Sequence, residues 1–227
     1  MNWRTFFHPQ AGIALIVCLF LVPVMGTVEF KVDRGVADTG YELTPPFFRF
    51  VTAGFWPAAV DYLWIETLQG IGQGDFSKTT LSKLVVFYRL AQNLDPDFFE
   101  SYEHGAISFA MYFEAPDAAL EVLDRGIRAY ESGRVPPRFW TRPYSLYLLR
   151  AYTNSFVKGD FKAAKVDYLR ASEVEGSPLY LQNMKEWLQE EGAERVLAVR
   201  VLKQMILHAD DPALKLKYEQ KLRVYEN

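Results

Sequence analysis

From Pro46 to the C-terminus, apolar residues recur three and four positions apart in blocks separated by Gly, Pro or Asp. That spacing is the mark of amphipathic helices with one buried face each. The pattern predicts a first helix starting at Pro46 or Pro57 and running to Ile71, then a second over 78–93. Further pairs are predicted over 98–112 and 116–132, and over 143–157 and 161–172, followed by helices over 178–190, 193–208 and 212–225. The stops are chemical. Asn93-Leu94-Asp95-Pro96 ends a helix because proline disfavours helical geometry in the residue before it. Gly133 with Pro136-Pro137, the turn Lys158-Gly159-Asp160-Phe161, Gly192, and Asp210-Asp211-Pro212 supply the other breaks. Thr44 ahead of Pro45-Pro46 reads as a helix start, with Thr44 as N-cap and Pro45 at the first helical position.

The N-terminal pattern differs in kind. From Thr5 to Val28 there is no Asp, Glu, Lys or Arg, and AGIALIVCLFLVPVM over Ala11–Met25 is the most apolar part. A helix over the whole uncharged run would span about 36 Å, enough for a hydrocarbon layer of roughly 30 Å. The alternative is a cleaved signal peptide, for which Val24 and Gly26 are small enough to precede a cut before Thr27. An uncleaved anchor is expected, because the charged n-region is thin and Trp3, Phe6 and Phe7 suit an interfacial belt. Arg4 and the terminal amine nearly balance Lys31 and Arg34, so charge alone does not set the orientation. A short tail before a large domain suits a signal anchor with the domain outside the cytoplasm. The organisation expected is a tail over 1–10, a transmembrane anchor over 11–28, a linker over 29–44 and repeats over 45–177, with C-terminal helices over 178–227 as the cap. Within the repeats the units fall at 46–96, 97–137 and 140–177.

Composition narrows the function classes. Half of the 227 residues are hydrophobic and 15% are aromatic, so a packed core is affordable and disorder is not the default. The net charge of −3, without a run of five Lys or Arg, argues against nucleic acid as a partner. The only cysteine, Cys18, lies inside the apolar run and excludes an intrachain disulfide framework.

Regular helix pairs call for a repeat search. Gly159-Asp160-Phe161, then Ala164, Tyr168 and Ala171, resembles the turn and second helix of a tetratricopeptide repeat. Ala119, Leu123 and Gly126 resemble the same positions one unit earlier, and Tyr88, Ala91 and Leu94-Asp95-Pro96 those of the unit before. The chain departs from the pattern at three places. Ala151-Tyr152 stands where Leu-Gly is usual, Gly105 lies two residues too far from Ala119, and Gly72–Thr80 is a long loop. A second resemblance covers nearly the whole part after the anchor: Thr52-x-Gly54-Phe55, Val60-Asp61-x-Leu63-Trp64-Ile65, Gln69-x-x-Gly72, Leu94-Asp95-Pro96 with Tyr102, and Gly176-Ser177-Pro178-x-Tyr180. These are similar to landmarks of an uncharacterised family of membrane-anchored bacterial repeat proteins. That resemblance implies a repeat domain held at an inner membrane and brings no catalytic residues. The fold expected is therefore all-α, an N-terminal transmembrane helix followed by a tetratricopeptide-like α-solenoid of about three helix pairs and capping helices.

Signatures of catalysis are scarce. His8, His104 and His208 have no His or Cys at i, i+4 spacing, so no zinc pattern arises, and no metal or cofactor is expected. There is no G-x-S-x-G and no Gly-rich phosphate loop after a strand; Gly70-x-Gly72-x-Gly74 follows a helix and reads as a turn. Glu190-Glu191 and Asp210-Asp211 read as solvated faces and caps. Asp61, within AAVDYLWI, has apolar neighbours on both sides and is expected either to be tied by a buried hydrogen bond or to meet a partner's basic residue. Phe47, Phe48, Phe50, Phe55 and Trp56 crowd the stretch nearest the anchor and, with Asp61 and Trp64, form the expected partner-binding surface. A second candidate surface is a groove lined by Phe99, Tyr102, Ala106 and Phe109 from one unit and Leu146, Leu149 and Thr153 from the next. It lacks the Lys and Asn cluster with which tetratricopeptide clamps hold a terminal carboxylate.

The function expected is a non-enzymatic scaffold or accessory subunit in a bacterial inner-membrane complex. Its partners would be other membrane-protein subunits, with the bilayer met through residues 11–28. The alternatives are a periplasmic adaptor that receives a peptide or ligand, and an envelope-acting hydrolase. An open apolar groove would favour the adaptor, and an acid cluster in a deep pocket the hydrolase.

Overall fold

The computed structural model of the protein describes residues 56–133, 140 and 142–226. Regular structure among these residues is entirely helical, with nine α-helices and no strand. They are α1 (Trp56–Gly72), α2 (Lys78–Leu94), α3 (Phe99–Ile107), α4 (Pro116–Glu131), α5 (Tyr144–Tyr152), α6 (Phe161–Glu173), α7 (Leu179–Leu188), α8 (Ala193–His208) and α9 (Pro212–Glu226). No helix among the described residues is long and apolar enough to cross a membrane. The segment expected to anchor the chain, 11–28, lies outside the described residues, as do the linker and the Thr44-Pro45 helix start.

Local chemistry sets the helix ends. Ser77 caps α2 by accepting the Thr80 N–H at 3.3 Å, and Asp75 braces the same turn by accepting from the Ser77 N–H at 3.1 Å. α2 stops at Leu94, directly ahead of Asp95-Pro96. After α5 the chain reverses at Gly159, which has φ +70 and so occupies the left-handed region that a side chain resists. Asp160 then caps α6 by accepting the Ala163 N–H at 3.0 Å. Both α3 and α5 change character near their C-terminal ends. Each widens into a π turn, Ser108–Tyr112 after α3 and Thr153–Lys158 after α5. A π turn holds one more residue than the α-helical turn it replaces. The extra residue in α3 accounts for part of the excess spacing between Gly105 and Ala119.

Each helix packs on the next, and α2 also packs on α4, α3 on α5 and α6 on α8. The centre of the core lies between the second and third hairpins, where Leu123, Phe109, Leu146, Ala119, Ala151 and Ala164 are wholly buried. Small residues make the approach possible. A Cβ on Gly126 would stand 2.9 Å from the Tyr102 ring and 3.0 Å from Leu146 Cδ1. Trp140 closes this region, stacked on Tyr130 at 6.0 Å, its indole N–H donating to the Asp97 carbonyl at 3.1 Å. The α1–α2 hairpin has its own smaller cluster of Val60, Leu63, Phe87, Leu90, Ala91 and Leu94, against which Trp56 and Phe98 pack.

The C-terminal helices pack in series on the third hairpin. α7 packs on α6, and α8 packs on both α6 and α9, so the alternation of the earlier hairpins continues past residue 178. Only α9 ends the stack. It buries no residue completely: Tyr218, Leu222 and Tyr225 rest on the core while Leu214, Leu216 and Val224 are exposed.

Candidate functional site

The open face with the clearest shape lies between the C-terminal halves of α3 and α5. A half-open cavity of about 460 Å³ separates them. Its floor is Ala106, Ala110, Leu149 and Thr153, all buried or half-buried. Its walls are Ile107 and Met111 on one side and Tyr152, Phe156 and Val157 on the other, all exposed. Both π turns border it, Ala110 and Met111 coming from the first and Thr153, Phe156 and Val157 from the second. No charged group lines it. Its floor hydroxyl is already used, since Thr153 Oγ1 donates to the Leu149 carbonyl at 2.9 Å. Beyond the walls the apolar surface continues through Tyr112, on which Phe76 stacks at 5.8 Å. On the other side Tyr180 lies close to Tyr152 and Tyr144, and burial followed by those neighbours raises its phenol pKa.

The residues expected to line a groove are divided by this geometry. Leu149, Ala106 and Thr153 lie on its floor. Phe99, Tyr102, Phe109 and Leu146 do not line it; they are core residues, each at most 4% exposed. The physical reason is rotation. Neighbouring residues on a helix project about 100° apart, so the row that fills the seam between hairpins leaves the adjacent row, Ile107 and Met111, facing out. Ile107, Met111, Tyr152 and Phe156 are the site residues that sequence reasoning missed. The trace they leave is an apolar stripe wider than one helix face needs.

Asp61 is exposed, so the buried hydrogen bond expected for it is absent from its surroundings. Its apolar neighbours in sequence point to other sides of α1, because adjacent residues on a helix do not share a face. Trp64 is half-buried and serves packing, with ring centroids 5.0 Å from Phe98, 5.1 Å from His104 and 6.4 Å from Tyr88. Trp56 belongs to the small cluster of the first hairpin. Phe47, Phe48, Phe50 and Phe55 lie outside the described residues.

Two polar networks tie the helices behind the groove. In the first, Tyr88 Oη lies 2.7 Å from His104 Nδ1, and Ser108 Oγ is 3.4 Å from the same nitrogen. Burial raises the Tyr88 phenol well above its usual pKa, so its O–H is the donor and Nδ1 accepts. Burial also lowers the pKa of His104, which keeps the ring neutral and fit to accept. In the second network Arg150 bridges three helices, its Nη1 donating to Asp124 at 2.6 Å and its Nη2 to Asp167 at 2.6 Å. Asn154 donates to the other Asp167 oxygen at 3.0 Å. Burial pushes the Asp167 carboxyl upward, and Arg150 and Asn154 hold it back. Among the described residues, no group of three or more His, Cys, Asp or Glu is placed to hold a metal ion.

Comparison with protein-family models, with curated proteins and with solved structures finds no match to this chain.

Proposed function

We propose that the chain is a non-enzymatic binding protein: a tetratricopeptide-like α-solenoid, carried on a membrane anchor at residues 11–28, that receives an apolar segment of a partner within a bacterial inner-membrane complex. The observation that carries this reading is the groove between α3 and α5, uncharged, half-open and bordered by two π turns. An apolar surface of this kind left in water marks a contact site. π turns in otherwise regular helices occur often at functional positions. Helix-on-helix packing to the next element and the next but one is the contact pattern of a repeat stack, whose faces serve as binding surfaces. The groove favours the receiving adaptor over a purely structural subunit, since a scaffold joined through its anchor alone has no use for an open apolar trough.

The test is site-specific photo-cross-linking in cells, with the reactive group in place of the exposed Met111. A discrete adduct is expected there, absent when the group replaces the exposed Lys203 on α8. A chain purified in mild detergent as a monodisperse monomer, with no adduct at Met111, would overturn the reading.

A further inference from the structure

The α1–α2 hairpin is covered on a side that the rest of the stack does not reach. α2 meets α3 and α4 through the row that holds Leu84 and Tyr88. Leu90 lies two residues past Tyr88, a turn of about 200° around the helix, and so projects away from α3 and α4. It is nevertheless only 6% exposed, as is Phe87, and Leu94 is wholly buried. With Val60 and Leu63 of α1 these residues form the smaller core cluster. Two helices bury the seam between them but not the sides that face away from it, so this cluster needs a third body. Among the described residues, the half-buried apolar side chains packed against it are Trp56 and Phe98.

Trp56 shows where the rest of the cover comes from, because it is the first described residue and already sits on the cluster. The 55 residues ahead of it end in PFFRFVTAGF over 46–55, which holds Phe47, Phe48, Phe50, Val51 and Phe55 and a single charge, Arg49. The chain divides into two units after Gly40, and this run falls in the unit that holds the helices, apart from the uncharged run that ends at Val28. Reach is no obstacle. Six residues separate Phe50 from Trp56, a tether of about 9 Å if helical and about 20 Å if extended. Val60 lies about 6 Å along α1 from Trp56, within either reach. A segment tethered this closely acts at an effective concentration of about millimolar, which any separate partner must outcompete. A repeat stack also leaves an apolar face at each end unless it is capped, and α9 serves only the far one. We infer that residues 46–55 cap the N-terminal end of the stack, with their phenylalanines against Val60, Phe87 and Leu90. Phe47, Phe48 and Phe50 then belong to the core, and the trough is what is left to a partner.

Benzoyl-phenylalanine, a photoreactive analogue of the residue it replaces, is placed at Phe47, Phe48 and Phe50 in turn in the full-length chain. Each variant is irradiated in cells and again after purification in mild detergent, and the adducts are mapped by mass spectrometry. From at least one position the expected product is a within-chain adduct to α1 or to the second half of α2, at the mass of one chain. Its yield should not change on dilution, as an intramolecular contact requires. An adduct at twice the chain mass that fades on dilution would assign the face to a second copy. An adduct to another protein in cells would assign it to a partner, and reaction with lipid or detergent alone would place the segment against the membrane. Within-chain adducts confined to α3–α9 would also overturn the cap. A second measurement covers the case in which the label itself disturbs the fold. With Phe47, Phe48 and Phe50 all replaced by Ala, the amides of 83–94 should exchange at least about tenfold faster than in the parent. Unchanged exchange there would overturn the inference.

Discussion

The two ends of the α3–α5 contact are built from the same pair of helices and reach opposite outcomes. Toward the N-termini, Tyr102 and Leu146 are jammed against Gly126, with no room for one more carbon. Toward the C-termini, the same helices stand apart around about 460 Å³ of apolar space. Neither end is more hydrophobic than the other. The difference lies in what faces the seam: a glycine on α4 lets three helices close at one end, and two π turns carry the chain off the helical path at the other. Closure stabilises the stack, whereas the open end leaves apolar surface in water, a cost that folding alone does not explain.

The sharpest way to break this contrast is to remove one leucine from each end. Leu146 is wholly buried at the closed end, and Leu146→Ala is expected to cost about 2–5 kcal/mol, because the tightly held seam cannot collapse into the cavity left behind. Leu149, three residues on, lies half-buried on the trough floor, and Leu149→Ala is expected to cost about 1 kcal/mol or less. Urea unfolding of both variants measures the difference. Equal losses would mean that the trough is closed in solution.

Next in size is Gly126→Ala. Alanine in place of a helical glycine gains about 1 kcal/mol of propensity. Here the new methyl would stand 2.9 Å from a buried tyrosine ring that is also held by its O–H to the Pro96 carbonyl at 3.3 Å. Overpacking of this kind costs about 1–3 kcal/mol, so a net loss of up to about 2 kcal/mol is expected by thermal or chemical unfolding. A gain in stability would show that Tyr102 yields easily and that the closed end is not closed by fit.

The hairpins were legible in the sequence because their punctuation is local. Asp95-Pro96, Gly159-Asp160 and Asp211-Pro212 mark helix boundaries whatever surrounds them, and the helices fall within a few residues of the spans read from periodicity. The small residues Ala119, Gly126 and Ala164 likewise announced a close approach, and each lies in the core seam or on its edge. The trough was legible only in part. A stripe such as Phe99, Tyr102, Ala106 and Phe109 identifies a face but not what the face meets, and in this fold it meets the next hairpin. The π turns leave only a spacing anomaly, Gly105 to Ala119, because one inserted residue hardly disturbs an apolar period. The buried hydrogen bond expected at Asp61 failed for the opposite reason: sequence neighbours were read as spatial ones on a helix, where they point apart.

His104 stands where α3 passes from its closed half to its open half, and it gives a smaller, pH-dependent test. Three groups face it: Trp64 on α1, Tyr88 on α2 and Ser108 on its own helix; none is a carboxylate. Burial holds its pKa below the ordinary imidazole value. A group whose folded pKa is depressed takes up protons more readily when unfolded, so stability is full above about pH 6.5 and declines as the pH falls below it. Protonation also turns Nδ1 into a donor and displaces the Tyr88 O–H. The melting curve of the protein is therefore expected to shift downward on acidification more than that of His104→Asn, the two curves separating only below about pH 6.5. Curves that stay parallel through that window would remove His104 from the α1–α2–α3 joint.

The smallest expected change in stability is at Ala110→Leu, and its smallness is the point. If the space above Ala110 is free, a larger side chain enters it without displacing a neighbour, and the unfolding free energy should stay within about 0.5 kcal/mol of the parent. The same substitution at the closed end would be ruinous, since even a methyl at Gly126 meets ring atoms at once. A loss of several kcal/mol at Ala110 would mean that α3 and α5 already touch there in solution. Neutral stability together with loss of the trough as a binding surface would separate packing from binding within a single pair of helices, because the side chain that costs nothing to fold is the one that excludes the partner.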